Sequence, residues 1–424
     1  MKILGFDSWT KGSHHFDCLV PAFEARGMSL KLVHLGSWGN DPGRAACEKI
    51  GRLVVRDIRS YGHRSLDKIL AVEKPDAVIF LWTDTFAHRA FNRFCRQRGI
   101  PTLNLFHGIL ATAVGNDSFG GLKVNPWAYA RFILLKIYKT FRYTLPCYVG
   151  ALTRTRASGR DWGRFLTDLI RMGIGGTNLV AAEDTRTTRC CVYIQADIQH
   201  AILYNGFLAS DVTVVGNPDL VRFGLKQEMI GSRVACSGPG NREIMYIDTG
   251  LAALGLIFKS KKEFIEHLKQ TANSLAAQGI KMLCKLKPHS SYGPGSFAEQ
   301  LKGSNVELVA NDNFLQRLES CTACIVEITT LAIVPALMGI PLLYANYGKL
   351  KGLPFGPVFT SYPRGFILEN VSDVSDILQK DAASLDPEAI RDWIAFNAGP
   401  LPAEGMPDRV ADVVVSISGI NKRK

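Results

Sequence analysis

The chain has 424 residues, 47% hydrophobic and 21% charged, so it can bury two ordinary cores without disulfides or metals, and general disorder is excluded. Its 50 Lys+Arg against 38 Asp+Glu give a net charge of +12, which implies an anionic partner: nucleic acid, a phosphorylated substrate or an acidic membrane surface. The excess is local: residues 118–160 hold Lys123, Arg131, Lys136, Lys139, Arg142, Arg154, Arg156 and Arg160 with no Asp or Glu.

The first half alternates apolar runs with amphipathic stretches. Strands are predicted at Lys2–Phe6, Leu30–Leu35, Leu53–Ile58, Ala77–Trp82 and Thr102–Phe106. Helices are predicted at Leu19–Ala25, stopped by Gly27, at Ser65–Glu73, closed by Pro75, and at Ala87–Arg98, ended by Gly99. Cys190–Gln195 and Val212–Val215 read as the last strands of this half, before Gly216-Asn217-Pro218 breaks the chain as a hinge. The second half repeats the rhythm, with strands at Ile244–Ile247, Lys281–Lys285, Val306–Val309, Ala323–Ile328 and Pro341–Tyr344. Its helices are Phe264–Ala277 and Leu331–Met338, the latter bent or shortened by Pro335. Asp408–Ile417 reads as a helix that docks back across the hinge. Nearly all-apolar strands alternating with helices mean parallel sheets covered on both faces. The expected architecture is α/β, with two Rossmann-like domains, 1–217 and 218–424, facing across a cleft.

The ten cysteines are scattered and read as reduced thiols of a cytoplasmic protein. Residues 1–12, MKILGFDSWTKG, lack the apolar run of a signal peptide, and no window reaches the ~18 apolar residues of a membrane span. Cys321-Thr-Ala-Cys324 has redox or zinc spacing, but no second pair or nearby His completes a site. No metal and no cofactor are expected.

In open parallel sheets, ligands sit beyond the carboxyl ends of the strands, and that rule selects the loops to search. After the first strand, Asp7 leads through Gly12 and Ser13 to His14 and His15 at a helix start. There a Gly permits close backbone approach and a His can serve as general base at neutral pH; the alternative is that the histidines cap and pack the first turn. Thr83-Asp84-Thr85 is an N-cap pattern, with Asp84 as the catalytic alternative. His107-Gly108 ends a buried strand at the ligand edge.

In the second half, Lys285-Leu-Lys287-Pro288-His289-Ser290-Ser291 concentrates donors for a diphosphate, with Pro288 fixing the turn. Glu327 ends a strand where it could accept from a ribose hydroxyl, and Thr329-Thr330 open a helix where they could cap it, hold a phosphate, or both.

This pattern resembles glycosyltransferases of the GT-B fold. Gly12-Ser-His-His15 running into Leu19–Ala25 is similar to the Gly-rich His loop of inverting members. Pro335-Ala-Leu-Met-Gly-Ile-Pro341 is similar to their Glu-Ala-Leu-x-x-Gly-x-Pro donor helix, with Pro335 where Glu is usual, a departure that favours inversion. A narrower resemblance is to bacterial envelope and capsule enzymes: CDP-glycerol glycerophosphotransferases and CMP-sugar-using sialyl, polysialyl and Kdo transferases. His107-Gly108, Pro288-His289-Ser290 and Thr329-Thr330 stand where those families carry a His-Gly, a His-Pro and a hydroxyl pair. The resemblance implies that His107 is the base or an acceptor contact and that His289 and the threonines hold the donor phosphate.

No Asp-x-Asp triplet ends a strand, so metal-free neutralisation of the leaving group by Lys287, His289 and a helix N-terminus is the expectation. The segment from Trp127 to Tyr143, with Arg131, Lys136, Lys139 and Arg142 among aromatics, has the composition of a helix lying in a membrane interface; the alternative is a solvated helix packed by its aromatic face on the first domain. The expected partners are therefore a nucleotide-sugar donor, a lipid-linked or polysaccharide acceptor and an anionic membrane surface. The protein would sit in the cytoplasm, peripherally on the inner face of the plasma membrane. The alternatives are a nucleotide-sugar epimerase of the same fold and a basic nucleic-acid-binding protein; the chain shows no recognisable nucleic-acid module.

Overall fold

The computed structural model describes residues 1–8, 12–39, 43–62, 65–109, 125–173, 182–234, 242–255, 257–287 and 294–420. The chain divides into two units, residues 1–110, 133–218 and 399–424 forming the first and residues 111–132 and 219–398 the second.

The first unit is built on an eight-stranded sheet: β1 (Lys2–Asp7), β2 (Ser29–His34), β3 (Cys47–Ile50), β4 (Leu53–Asp57), β5 (Ala77–Phe80), β6 (Thr102–Leu105), β7 (Arg189–Val192) and β8 (Val212–Val214). Their spatial order is β3-β4-β2-β1-β5-β6-β7-β8. All pairings are parallel except the β3–β4 edge hairpin. Leaving that hairpin aside, the order reverses direction at β1, with β2 on one side and β5 on the other. That reversal is a topological switch point.

The second unit has β9 (Glu243–Ile247), β10 (Lys281–Lys285), β11 (Val306–Leu308), β12 (Ala323–Val326), β13 (Leu342–Ala345) and β14 (Gly365–Leu368). These lie in the order β11-β10-β9-β12-β13-β14, entirely parallel. Counted within the unit, this is the 3-2-1-4-5-6 order of a Rossmann sheet, with its switch point between β9 and β12. Strands β5, β6, β12 and β13 are buried at every position, as expected where helices cover both faces.

The predicted strands therefore form, with ends displaced by up to three residues, and two more join them. Edge strand β3, Cys-Glu-Lys-Ile, is only half-buried, and edge strand β14 opens on Gly365; neither carries the apolar run that marks a central strand. The predicted Leu19–Ala25 helix is two short ones, Ser13–Asp17 and Val20–Glu24. Pro335 is accommodated because the α-helix begins only at Ile333, after a 3-10 turn over Thr330–Ala332. In that first turn its missing N–H costs nothing.

Helix Phe86–Gln97, which follows β5, is fixed by a buried ionic cluster. The Arg89 guanidinium donates to Asp168 at 2.6 Å, to Asp184 at 2.8 Å and to the Tyr148 hydroxyl at 2.8 Å. Tyr148 in turn donates to Asp184 at 2.6 Å. Breaking such a buried pair from one side costs ~3–5 kcal/mol because the remaining charges stay uncompensated, so this cluster locks the helix behind the β5 loop. The C-terminal helix Met406–Ile420 packs on Val20–Glu24 within the first unit, where Arg26 bonds Asp408 and Asp412.

Helix Pro126–Lys139 has no buried residue. A π-helical turn, Thr140–Thr144, follows, and its Tyr143 stacks on Trp38 with centroids 5.7 Å apart. Beyond it, helix Leu145–Arg154 places Cys147, Tyr148, Ala151 and Leu152 in the first core. The acid-free segment 118–160 is thus divided in its packing. Residues 118–124 lie outside those described, residues 126–142 are exposed or half-buried, and the part from Leu145 on is partly committed to packing, with Arg154 paired to Asp67 at 2.9 Å. Among the described residues no helix is long and apolar enough to cross a membrane.

Candidate functional site

At the carboxyl edge of the first sheet, β1 ends on Asp7, whose carboxyl is 5% exposed and accepts from the Ser8 N–H at 2.6 Å. Burial pushes its pKa up to about 7, against that one hydrogen bond. A Cβ on Gly12 would lie 2.6 Å from Asp7 Oδ2, so only glycine fits beside the carboxyl. Helix Ser13–Asp17 follows with no side-chain cap. The ring centroids of its two histidines lie 4.0 Å apart, the rings tilted by 37° to one another.

Here the chain brings together residues far apart in sequence. His15, 4% exposed, has Nδ1 3.0 Å from the Tyr193 hydroxyl at the end of β7. The exposed His107, just past β6, meets the His15 ring edge-on at 5.2 Å and Trp82, past β5, at 6.1 Å. Gly108 turns the chain there at φ 102°. His14, His15 and His107 are therefore one cluster, and sequence reasoning missed two of its members, Tyr193 and Trp82. A lone Tyr and a lone Trp at strand ends carry no signature until the topology places them beside the histidines.

Asp84 stands one loop away, after β5. Thr85, not Asp84, is the N-cap of the next helix, accepting from the His88 N–H at 3.3 Å. The Asp84 carboxyl is left with Oδ1 unbonded among the described residues, and burial pushes its pKa up to about 6, opposed by its own backbone and by the charges of Lys136 and Arg89.

The second unit presents a different chemistry at its switch point. Asp248, past β9, accepts from Gly250 N–H at 2.7 Å and from Lys287 N–H at 3.0 Å. Glu327, past β12, is wholly buried. Its Oε1 accepts from the Tyr246 hydroxyl at 2.7 Å, and its Oε2 from the Thr249 N–H at 3.0 Å and hydroxyl at 2.5 Å. Both oxygens are thus spent inside the protein, where they brace the Thr249-Gly250 turn rather than reach toward a ribose. Sequence reasoning missed Asp248 because an isolated carboxylate after a strand is unremarkable until its hydrogen bonds tie two loops together.

Lys285 is buried, its ammonium donating to the Leu286 carbonyl at 3.0 Å. Burial, then the charge of Arg222, pushes its pKa down to about 8. The exposed Lys287 lays its stem over Gly250, where a Cβ would meet Lys287 Cδ at 3.1 Å. Thr329 caps the 3-10 turn by accepting from Leu331 N–H at 3.2 Å, and Thr330 opens it; both are half-exposed. His289 and Ser290 lie outside the described residues.

No family model matches the chain. Over 68 residues it is 37% identical to a UPF0305 protein of Methanothermobacter thermautotrophicus, a match covering 16% of this chain and 43% of that relative's length. Solved structures align over almost all of it. The calicheamicin glycosyltransferase CalG4 covers 99% of this chain and 98% of its own, at TM-score 0.52 and 16% identity. The wall teichoic acid polymerase TagF covers 99% and 89%, at 0.51 and 10%. MnaA of S. aureus, solved with UDP, covers 99% and 97%, at 0.50 and 11%. The chain has the GT-B fold. At these identities the likeness establishes the architecture, two Rossmann-like domains, and the chemistry rests on the residues above.

The buried Glu327 makes a pH prediction. Burial, then the Asp248 carboxylate, raises its pKa from an ordinary 4.5 to about 7. The fold therefore holds this proton more tightly than the unfolded chain does. The associated stability is full below about pH 4.5 and is lost as pH rises through about 7. In Glu327→Gln, urea midpoints at pH 5 and pH 8 should lie closer together than in the wild type. Equal pH dependence in the two proteins would refute the assignment.

Proposed function

We propose that the chain is a metal-independent, inverting glycosyltransferase that moves a sugar from a nucleotide-activated donor to a lipid-linked or polysaccharide acceptor in bacterial surface-polysaccharide synthesis. One observation supports this reading above the others: the carboxyl edges of the two sheets carry different chemistries. The first unit gathers histidines suited to taking a proton near neutral pH. The second gathers lysines and hydroxyls suited to phosphate.

In this reading a histidine of the first unit takes the proton of an acceptor hydroxyl as its oxygen bonds the anomeric carbon. The bond from that carbon to the phosphate oxygen breaks, and its electron pair leaves with the nucleotide. Lys287, Thr329, Thr330, His289 and Ser290 hold the phosphate, with Lys285 adding charge. This fixed, partly desolvated charge stabilises the leaving group as it forms. Glu327 and Asp248 serve the donor indirectly by fixing the Thr249-Gly250 and Leu286-Lys287 backbone. Asp84 and Asp7 are the carboxyls available beside the acceptor.

The exposed helix supports the membrane part of the reading. At about 100° per residue, Arg131, Lys136 and Lys139 fall within an arc of about 140° that also holds Phe132 and Leu135, while Trp127, Leu134, Ile137 and Tyr138 occupy the remainder. Trp127 is 85% and Leu134 65% exposed, an apolar display that water does not favour. Anionic lipid contributes about 1 kcal/mol per basic residue near the surface, so these cations with Arg142 suffice for reversible docking at the inner face of the plasma membrane. A basic surface interleaved with Leu and Ile fits lipid better than nucleic acid.

Two outcomes are expected. Among CMP-, CDP-, UDP- and GDP-linked sugars, one class raises the melting temperature of the wild type, and Lys287→Ala weakens that shift at least tenfold in donor concentration. No shift with any donor would remove the transferase, and interconversion of the donor without acceptor would make the protein an epimerase. Separately, charge reversal at Lys136, Lys139 and Arg142 should release the protein from phosphatidylserine-containing vesicles. Unchanged co-sedimentation would remove the membrane role.

A further inference from the structure

We propose that the outer face of helix Gly159–Gly173 is a second lipid-docking surface, which seats Leu166 and Ile170 in the bilayer interface while Arg160, Arg164 and Arg171 hold anionic headgroups. The inference deepens the membrane part of the proposed function but stands on side chains of its own.

The helix belongs to the first unit, and its inner face is committed to that unit. The buried Asp168 carboxylate takes the Arg89 guanidinium at 2.6 Å. Phe165 is buried with its ring edge-on to Phe86 at 5.9 Å, and Trp162 and Leu169 pack on the same core. At about 100° per residue these four side chains span an arc of about 120°. A buried ion pair and an aromatic contact thus fix which way the rest of the helix looks.

The rest looks at solvent. Leu166 is 56% and Ile170 66% exposed, and, four residues apart, they form one apolar ridge. Arg160, Arg164 and Arg171 fall within about 40° of one another, beginning about 80° past that ridge. Arg160 and Arg171 are exposed and Arg164 half-buried. Gly163 and Thr167 fill the gap, and the Thr167 hydroxyl is spent on the Gly163 carbonyl at 3.1 Å. Among the described residues none of the three guanidinium groups pairs with a carboxylate. Both acids of the helix are engaged elsewhere, Asp168 by Arg89 and Asp161 by Ser158 and Arg93. Three arginines against two aspartates in the helix sequence therefore become three unopposed cations on its outer face.

The ridge and the arginine row call for different partners, and a membrane interface supplies both at once. Headgroup phosphates match the planar guanidinium fork, and the acyl boundary just beneath them takes leucine and isoleucine. A nucleic acid would satisfy the arginines and leave the ridge in water.

The test is co-sedimentation of the full chain with phosphatidylserine–phosphatidylcholine vesicles, without donor or acceptor. Arg160→Glu/Arg164→Glu/Arg171→Glu should weaken binding ~100-fold, since each basic residue near an anionic surface is worth about fivefold. Leu166→Ser/Ile170→Ser should weaken it ~10-fold through lost apolar burial, with sensitivity to salt retained. All five positions lie on the outer face, so both variants should keep the wild-type melting temperature; if the charge variant does not fold, the serine pair decides alone. Wild-type affinity in the folded variants would overturn the proposal. So would a loss confined to the charge variant, which is the response of a nucleic-acid or other polyanion site. Helix Pro126–Lys139 is intact in both variants. Vesicle binding that is lost in them but kept on reversal of Lys136, Lys139 and Arg142 supports this surface and removes the earlier one. The opposite pattern overturns this proposal and leaves the earlier one standing.

Discussion

A parallel strand can be joined to its neighbour only by a crossover, so every strand of a parallel sheet delivers its carboxyl end to the same edge. Apart from the antiparallel edge strand β3, both sheets of this chain obey that constraint and reverse their winding once, at β1 and at β9. There the covering helices diverge and loops can hold a ligand against backbone. Asp7, His15, Trp82, His107 and Tyr193 come to one edge because four strands, β1, β5, β6 and β7, end there, and Asp248, Lys285, Lys287 and Glu327 come together for the same reason at the ends of β9, β10 and β12.

The two edges use burial differently. In the first unit, carboxyls at Asp7 and Asp84 are driven toward neutrality by burial, while the histidines lie at graded depths, from buried His15 to exposed His107. In the second, a buried carboxyl is fully satisfied: Glu327 is costly to desolvate, yet Tyr246 and Thr249 complete its hydrogen bonds. Such a group specifies loop geometry more than it adds stability. It holds the turn over which Lys287 lies.

The sequence made the central strands legible because each is an apolar run bounded by Gly, Pro or charge. It concealed β3 and β14, whose edge positions leave one flank unpaired and relax the need for apolar residues. The strand-end rule located His14, His15, His107, Lys287 and Thr329, but could not weigh them, since depth and partner depend on tertiary packing. Tyr193 lies 178 positions from His15, and no local pattern connects them. Glu327 was visible as a strand-end acid, yet its inward direction depends on Tyr246 and Thr249 from another strand. The acid-free segment illustrates the same limit: its charge was evident, but only packing separates exposed Pro126–Lys139 from Leu145–Arg154, which shares the core.

The division of labour between the two units is the central claim, and hydrogen–deuterium exchange of the full chain with and without a stabilising nucleotide donor tests it most directly. The account predicts added protection at residues 248–250, 285–287 and 329–332, with residues 12–16 and 107–108 unchanged until an acceptor is added. Protection confined to the histidine cluster, with the second unit unaffected, would contradict it.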